Sequence, residues 1–227
     1  MHKTLAFNVE QQNISIALGM DKLEGELIIP TGAEGLVIVG SNTSHIKYSP
    51  RQNYFTYLLR QGDLATIHIN LLTEDEATID RRTKHYERDI NHLASRFLAV
   101  TDWVTTNPLT SHLKVGYFGM NASAGAALLA ATERPTTIRA VVSQSGQTDL
   151  VNRALSYIQT PTLLIVGGDD YPTMTMNEDA LAQITVPEKR LEVIPKATHQ
   201  FQEAGALEEA ARLARQWFKH FLSFSRN

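Results

Sequence analysis

Residues 114–131, KVGYFGMNASAGAALLAA, constrain the fold of this chain more than any other stretch. Residues 114–118 read as a short β-type run. Residues 119–125 are rich in small side chains, and residues 126–131 continue as a small-residue helix. A strand that turns sharply into a helix on small residues raises one side chain at the apex of the turn, above the sheet edge. Here that residue is Asn121. It tolerates positive φ better than most non-glycine residues, and its amide donates and accepts hydrogen bonds, but it is not a nucleophile.

The segments around this turn alternate in type. Residues 4–9, 14–18 and 23–29 read as three short strands, with turns at 11–13 and 19–22 and an antiparallel edge as the consequence. Residues 35–39, 64–69, 139–143, 161–166 and 190–194 read as strands, several of them continuous apolar runs typical of buried parallel strands. Helical spacing appears at 50–60, 84–105, 177–184 and 205–222, and 150–157 reads as a weak helix or lid. Residues 71–82, with Glu74, Asp75, Glu76, Asp80, Arg81 and Arg82, read as a solvated loop rather than a catalytic acid cluster. From Gly35 onward the order is β-α-β-α. That implies an α/β fold: a doubly wound, mostly parallel sheet with helices on both faces and a ligand site at the carboxyl ends of the strands. With no repeat or linker in sight, residues 1–227 read as one domain.

Composition narrows the function. A net charge of -3 and a pI near 6.2 favour neither nucleic acid nor an anionic membrane as partner. The absence of cysteine excludes disulfides, thiolate metal sites and a Cys nucleophile. The eight histidines are scattered, with no ligand-spaced pair near the turn, so neither metal nor cofactor is expected. No apolar run approaches the ~18–20 residues of a membrane span. The start MHKTLAFNVEQQN breaks into polar residues too early for a signal peptide, so the expected location is the cytoplasm.

Three expected strand ends carry chemistry in the order turn, acid, histidine: Asn121, Asp169/Asp170 and His199. An acid orients an imidazole, which takes a proton from a hydroxyl at the turn. From about residue 23 to residue 222 the chain resembles the dienelactone-hydrolase-like branch of the α/β-hydrolases. The resemblance is carried by KYSPR at 47–51, INLLTEDE at 69–76, HLASR at 92–96, KVGYFG at 114–119, PTLLIVGG at 161–168, MNEDAL at 176–181 and ATH at 197–199. It implies Asp170 as the acid, with Asp169 the adjacent alternative, and His199 as the histidine.

The departures from that family matter as much. Relatives read GYFG-A-S-T-G, with Ser at the position of Asn121. The His-Gly pair that helps build their oxyanion hole is Ser41-Asn42 here, and their strand-end Asp is Asn70. Ala122 keeps a backbone N–H for half of the hole. An alternative nucleophile is Ser123, reached by sliding the turn two residues. That slide rotates the helix by about 200° and turns its packing face outward. The resulting expectation is a catalytically impaired hydrolase with a pocket for a small carbonyl or ester-like ligand. The alternatives are an active serine esterase or lactonase using Ser123, a lyase-like enzyme moving protons through His199, and a structural partner protein. Oligomeric state is not legible.

Overall fold

The computed structural model describes residues 9–42 and 49–223. Its strands are β1 (Val9–Leu18), β2 (Asp21–Pro30), β3 (Gly35–Ser41), β4 (Leu64–Asn70), β5 (Lys114–Met120), β6 (Ile138–Gln144), β7 (Thr162–Gly167) and β8 (Lys189–Ile194). Its helices are α1 (Pro50–Arg60), α2 (Glu74–Thr83), α3 (Ile90–Thr106), α4 (Ala122–Glu133), α5 (Tyr171–Gln183) and α6 (Ala206–Leu222). The strands form one sheet in the order β1-β2-β4-β3-β5-β6-β7-β8. β1 and β2 form an antiparallel hairpin, β2 runs antiparallel to β4, and every other pairing is parallel. The expected doubly wound α/β sheet with an antiparallel edge is the fold observed.

The two faces follow from the period of two along each strand. Leu36 and Ile38 of β3 and Val115 and Tyr117 of β5 join one core, with Leu93, Phe97 and Val100 of α3 and the alanines of α4. Val37, Val39 and Phe118 join the other, with Phe55 and Leu59 of α1 and Ala210, Ala214 and Phe218 of α6. Both faces of the central strands are buried, which is why they read as unbroken apolar runs rather than alternating ones.

Four expectations are corrected. Residues 11–13 are not a turn. β1 runs through them, and Gln11, Gln12 and Asn13 pair with Ile28, Leu27 and Glu26 of β2. Their polarity reflects an exposed edge strand, where Gln11 donates a side-chain bond to Glu26. Of the expected strand at 4–9, all but Val9 lies outside the described residues.

Residues 74–83 form a helix, not a loop. Thr73 caps it and Glu76 returns the bond, so both arms of a capping box are made. Acids fill its first turn and arginines its last, the polarity that suits the helix dipole. α3 begins at Ile90 rather than residue 84, because Lys84 takes a left-handed conformation that ends α2 and Asp89 caps α3. α5 begins at Tyr171 rather than 177, started by the Asp170 cap and an early proline. The polar loop with His45, and Lys47 and Tyr48 of the KYSPR segment, lies outside the described residues. Among the described residues no helix is long and apolar enough to cross a membrane.

One buried group ties stability to pH. His68 of β4 is 2% exposed. Burial, with the nearby Arg60 charge second, lowers its pKa from 6.5 to about 3. The fold thus favours the neutral ring: its contribution is complete above pH 6.5 and is lost as pH falls from there toward 3. Between about pH 7.5 and about pH 4.5 this group alone should remove roughly 2–3 kcal/mol. Urea denaturation of the parent and His68→Gln at both pH values tests this. The variant should lose less stability on acidification, and identical losses would refute the assignment.

Candidate active site

The site is built around the junction of β5 and α4. Asn121 sits there at φ 53° and ψ −124°. Its backbone is fixed on both sides. The N–H donates to the Gln144 carbonyl at 3.1 Å, and the carbonyl accepts from Ala124, Gly125 and Gln147. Such surroundings hold a residue in a sparsely populated conformation. The turn is sharp enough that a Cβ on Gly119 would lie 2.4 Å from the Ser123 carbonyl oxygen and 2.6 Å from the Ala124 nitrogen. Only glycine fits there. The Asn121 side chain is exposed and makes no hydrogen bond to any described residue. The Ala122 N–H opens α4, and it too has no partner among the described residues.

Ser123 does not occupy the apex. It is 1% exposed. Its hydroxyl accepts from the Met120 N–H at 2.9 Å and faces the carbonyls of Gly40 at 2.9 Å and Met120 at 2.8 Å, to one of which its single proton goes. It fastens the start of α4 to β5 and β3. Ser123 is therefore not the apex residue that a two-residue slide of the turn requires: its hydroxyl is buried and engaged with the backbone.

The acid and the histidine lie at the ends of β7 and β8, on the same carboxyl edge as Asn121. Asp170 caps α5, its Oδ1 accepting from the Thr173 N–H at 3.4 Å. Its Oδ2 is buried without a partner. Asp169 is exposed, and its N–H donates to the Ala197 carbonyl at 3.0 Å, joining the acid loop to the histidine loop. That contact depends on Gly167, where a Cβ would lie 2.3 Å from the same carbonyl.

The histidine loop is anchored at several further points. Ser145 Oγ donates to the His199 carbonyl at 3.1 Å, Arg51 donates to the Phe201 carbonyl, and Thr198 bonds Glu203 through both its N–H and its hydroxyl. Phe201 is buried beneath the loop. The backbone at His199 is thus held while its ring is exposed. Asn121, Asp170 and His199, expected within hydrogen-bond reach or one water of one another, share the sheet edge with no direct hydrogen bond between them. Asp170 spends one oxygen on the cap, and the ring at 199 stands in solvent.

The remaining expected pocket residues cluster at the ends of β3 and β4, where Ser41 pairs with Asn70. Ser41 is buried and donates to the Ile69 carbonyl at 3.3 Å. Asn42 donates to the Glu87 carbonyl at 2.9 Å. Asn70 Oδ1 accepts from the Leu72 N–H at 3.3 Å and lines a cavity of about 510 Å³ between β2, α1 and α2. The first two side chains serve the backbone.

Sequence reasoning missed two acids, Asp80 buried and Glu76 partly buried, that shape this wall. Asp80 accepts from the N–H groups of Tyr86 and Glu87 at 2.7 and 3.2 Å, fixing the carbonyl that Asn42 uses. Glu76 pairs with Arg96 at 2.6 Å and His92 at 3.0 Å, tying α2 to α3. Burial pushes the Glu76 carboxyl up, but the Thr73 N–H, Arg96 and His92 together hold it below the usual range. The spacing of Thr73 and Glu76 was the available signal. Among the described residues no group of three or more His, Cys, Asp or Glu is placed to hold a metal.

Known proteins share the fold that carries these residues. Residues 89–223 match the family profile described as X-Pro dipeptidyl-peptidase (S15 family). The crystal structure of a dienelactone hydrolase from Anabaena variabilis is 50% identical and superposes with a TM-score of 0.91, covering 95% of this chain and 99% of that one. A dienelactone-hydrolase-like promiscuous phosphotriesterase from metagenomic libraries shares the fold at 17% identity and a TM-score of 0.76, over 95% of this chain and 99% of that one. A curated Mycobacterium tuberculosis protein, provisionally named a phosphoribosyl transferase, is 38% identical over 92% of this chain. The match covers 46% of that protein, so the chain spans about half the length of the curated relatives it matches.

Replacing Ser123 with alanine should cost about 1–3 kcal/mol, because buried backbone groups lose their partner. A fluorophosphonate should leave position 123 of the parent unlabelled. Urea melts and peptide mass spectrometry read the two effects. Stoichiometric label at Ser123 would overturn this account.

Proposed function

The chain belongs to the α/β-hydrolase superfamily, in its dienelactone-hydrolase-like branch, and from that premise we propose a hydrolase-derived binding site that has lost its acyl-enzyme route. One observation carries the proposal: the apex holds Asn121, and the Ser123 hydroxyl two residues on is buried and engaged. The Asn121 side chain has no hydroxyl, thiol or amine to take up an acyl group, so the usual acyl-enzyme does not form at the apex. The groups that remain suit recognition. The Ala122 N–H and the Asn121 Nδ2 are two donors at one turn, available to the oxygen of a small carbonyl or ester-like ligand. The exposed ring of His199 supplies a third polar contact and can move a proton.

In this reading Asp170 orients His199 when the site is occupied. Its unpartnered Oδ2 and the contact between the two loops support that role. Asp170→Asn should change the tautomer balance of the His199 ring, read by nitrogen NMR with a carbonyl ligand present, and Asp169→Asn should not. Equal changes in both variants would remove Asp170 from the site.

A second reading is favoured by the relatives' length. Proteins about twice as long carry this fold beside other sequence, and their name belongs to the whole. Here the chain would be a companion unit with no chemistry of its own. Ligand binding separates the two: a thermal shift with small lactones and esters that vanishes in Asn121→Ala supports the first reading, and none across the panel supports the second.

Repair tests the lost route. Loss of the nucleophile in a serine hydrolase costs up to ~10⁶ in turnover. One missing oxyanion donor costs ~10²–10³. Asn121→Ser should therefore raise aryl-ester hydrolysis above the parent while remaining about 10²–10³ below an intact enzyme, and His199→Ala should abolish the gain. Strong hydrolysis by the parent, eliminated by Ser123→Ala, would sink the proposal.

A further inference from the structure

The apex asparagine is also set for a reaction with its own backbone. At Asn121 ψ is −124°. On an L-residue the Cβ lies about 120° from the nitrogen around the Cα–C bond, on the side that makes the Cβ–Cα–C–N torsion equal to ψ plus that offset. The two terms cancel to within a few degrees. The Ala122 nitrogen therefore eclipses the Asn121 Cβ. This is the near-planar arrangement of a five-membered ring through Cα, Cβ, Cγ, the Ala122 nitrogen and the Asn121 carbonyl carbon. In an α-helix the same torsion is about +80°, and in a strand about −105°, so both hold the nitrogen away from Cγ.

Three further features act in the same direction. Among the described residues the Ala122 N–H has no hydrogen bond to lose, being one of the unpaired donors of a helix start. The Asn121 carboxamide is exposed and has no partner among the described residues, so Cγ is open and a leaving group can escape. The four backbone bonds at Asn121 keep ψ from relaxing.

We propose that Asn121 is a site of spontaneous cyclisation and deamidation. The Ala122 nitrogen attacks Asn121 Cγ. The N–Cγ bond forms and the Cγ–Nδ2 bond breaks. The Ala122 amide proton passes through a solvent base to the leaving nitrogen, which departs as ammonia. The resulting succinimide takes up one water. Addition at Cγ gives aspartate at position 121. Addition at the main-chain carbonyl carbon gives isoaspartate, with the chain rerouted through the β-carbon. The net change is water for ammonia, with no oxidant or cofactor. The product places a carboxylate at the start of α4, where the helix dipole favours it. The inference rests on the apex geometry and not on the ligand reading of the site.

Trypsin releases residues 115–139 with Asn121 as their only side-chain amide. The full chain, folded or in urea, is incubated at mildly alkaline pH in heavy-oxygen water, and that peptide is followed by mass spectrometry. Parallel samples receive hydroxylamine to trap the ring. The folded chain should lose the amide about tenfold faster or more, because the reacting atoms are held in place, and should yield the hydroxylamine adduct. Asn121→Gln, which needs a six-membered ring, should stay intact. Loss that is equal or slower in the folded chain would overturn the proposal. So would aspartate formed without any trapped ring, or amide loss from Asn121→Gln at the parent rate.

Discussion

The close approach of α4 to β5 at Gly119 is the contact on which the rest depends. No side-chain carbon fits between that strand and the first turn of the helix. Because the gap is closed, the Ser123 hydroxyl reaches both β5 and β3, and the Asn121 carbonyl receives three N–H groups. The small residues of α4 continue the approach: a Cβ on Gly125 would lie 3.0 Å from the Gln147 carbonyl. The sheet and helix layer lock at this seam, and the other carboxyl-end loops are arranged around it.

Those loops share one organisation. Their backbones are held by hydrogen bonds and buried anchors, while their polar tips at 121 and 199 stay free. Phe201, the Thr198–Glu203 pair and the Ser145 hydroxyl hold the His199 loop without touching its ring. On the opposite side, Asp80 and Asn42 do the same for the wall between α2 and α3. A site of this kind keeps its shape whether or not a reaction takes place in it.

The sequence made the parallel sheet legible because its strands are buried on both faces and read as apolar runs. α1 was legible to the residue from its helical spacing, and the structure adds a capping box of Ser49 and Gln52 at its start. α2 was hidden because its run of charged residues reads as a solvated loop, and its evidence lay in the Thr73–Glu76 box. The edge strand β1 was hidden for the converse reason: Gln11 to Asn13 look like a turn until β2 pairs with them. In the site, the apex position of Asn121 followed from the small residues on either side. The capping role of Asp170 did not, because a cap and a catalytic acid look alike in sequence.

The four bonds at Asn121 all come from its main chain, and none comes from its side chain. Position 121 is therefore a socket rather than a strut. What it holds decides the chemistry, and what surrounds it decides the shape, so the two can change independently. A lineage can lose its nucleophile here without losing its fold. By the same logic, any side chain that accepts a left-handed backbone can be exchanged into this socket with little cost to stability, which makes the position a natural cassette for installing new reactive groups.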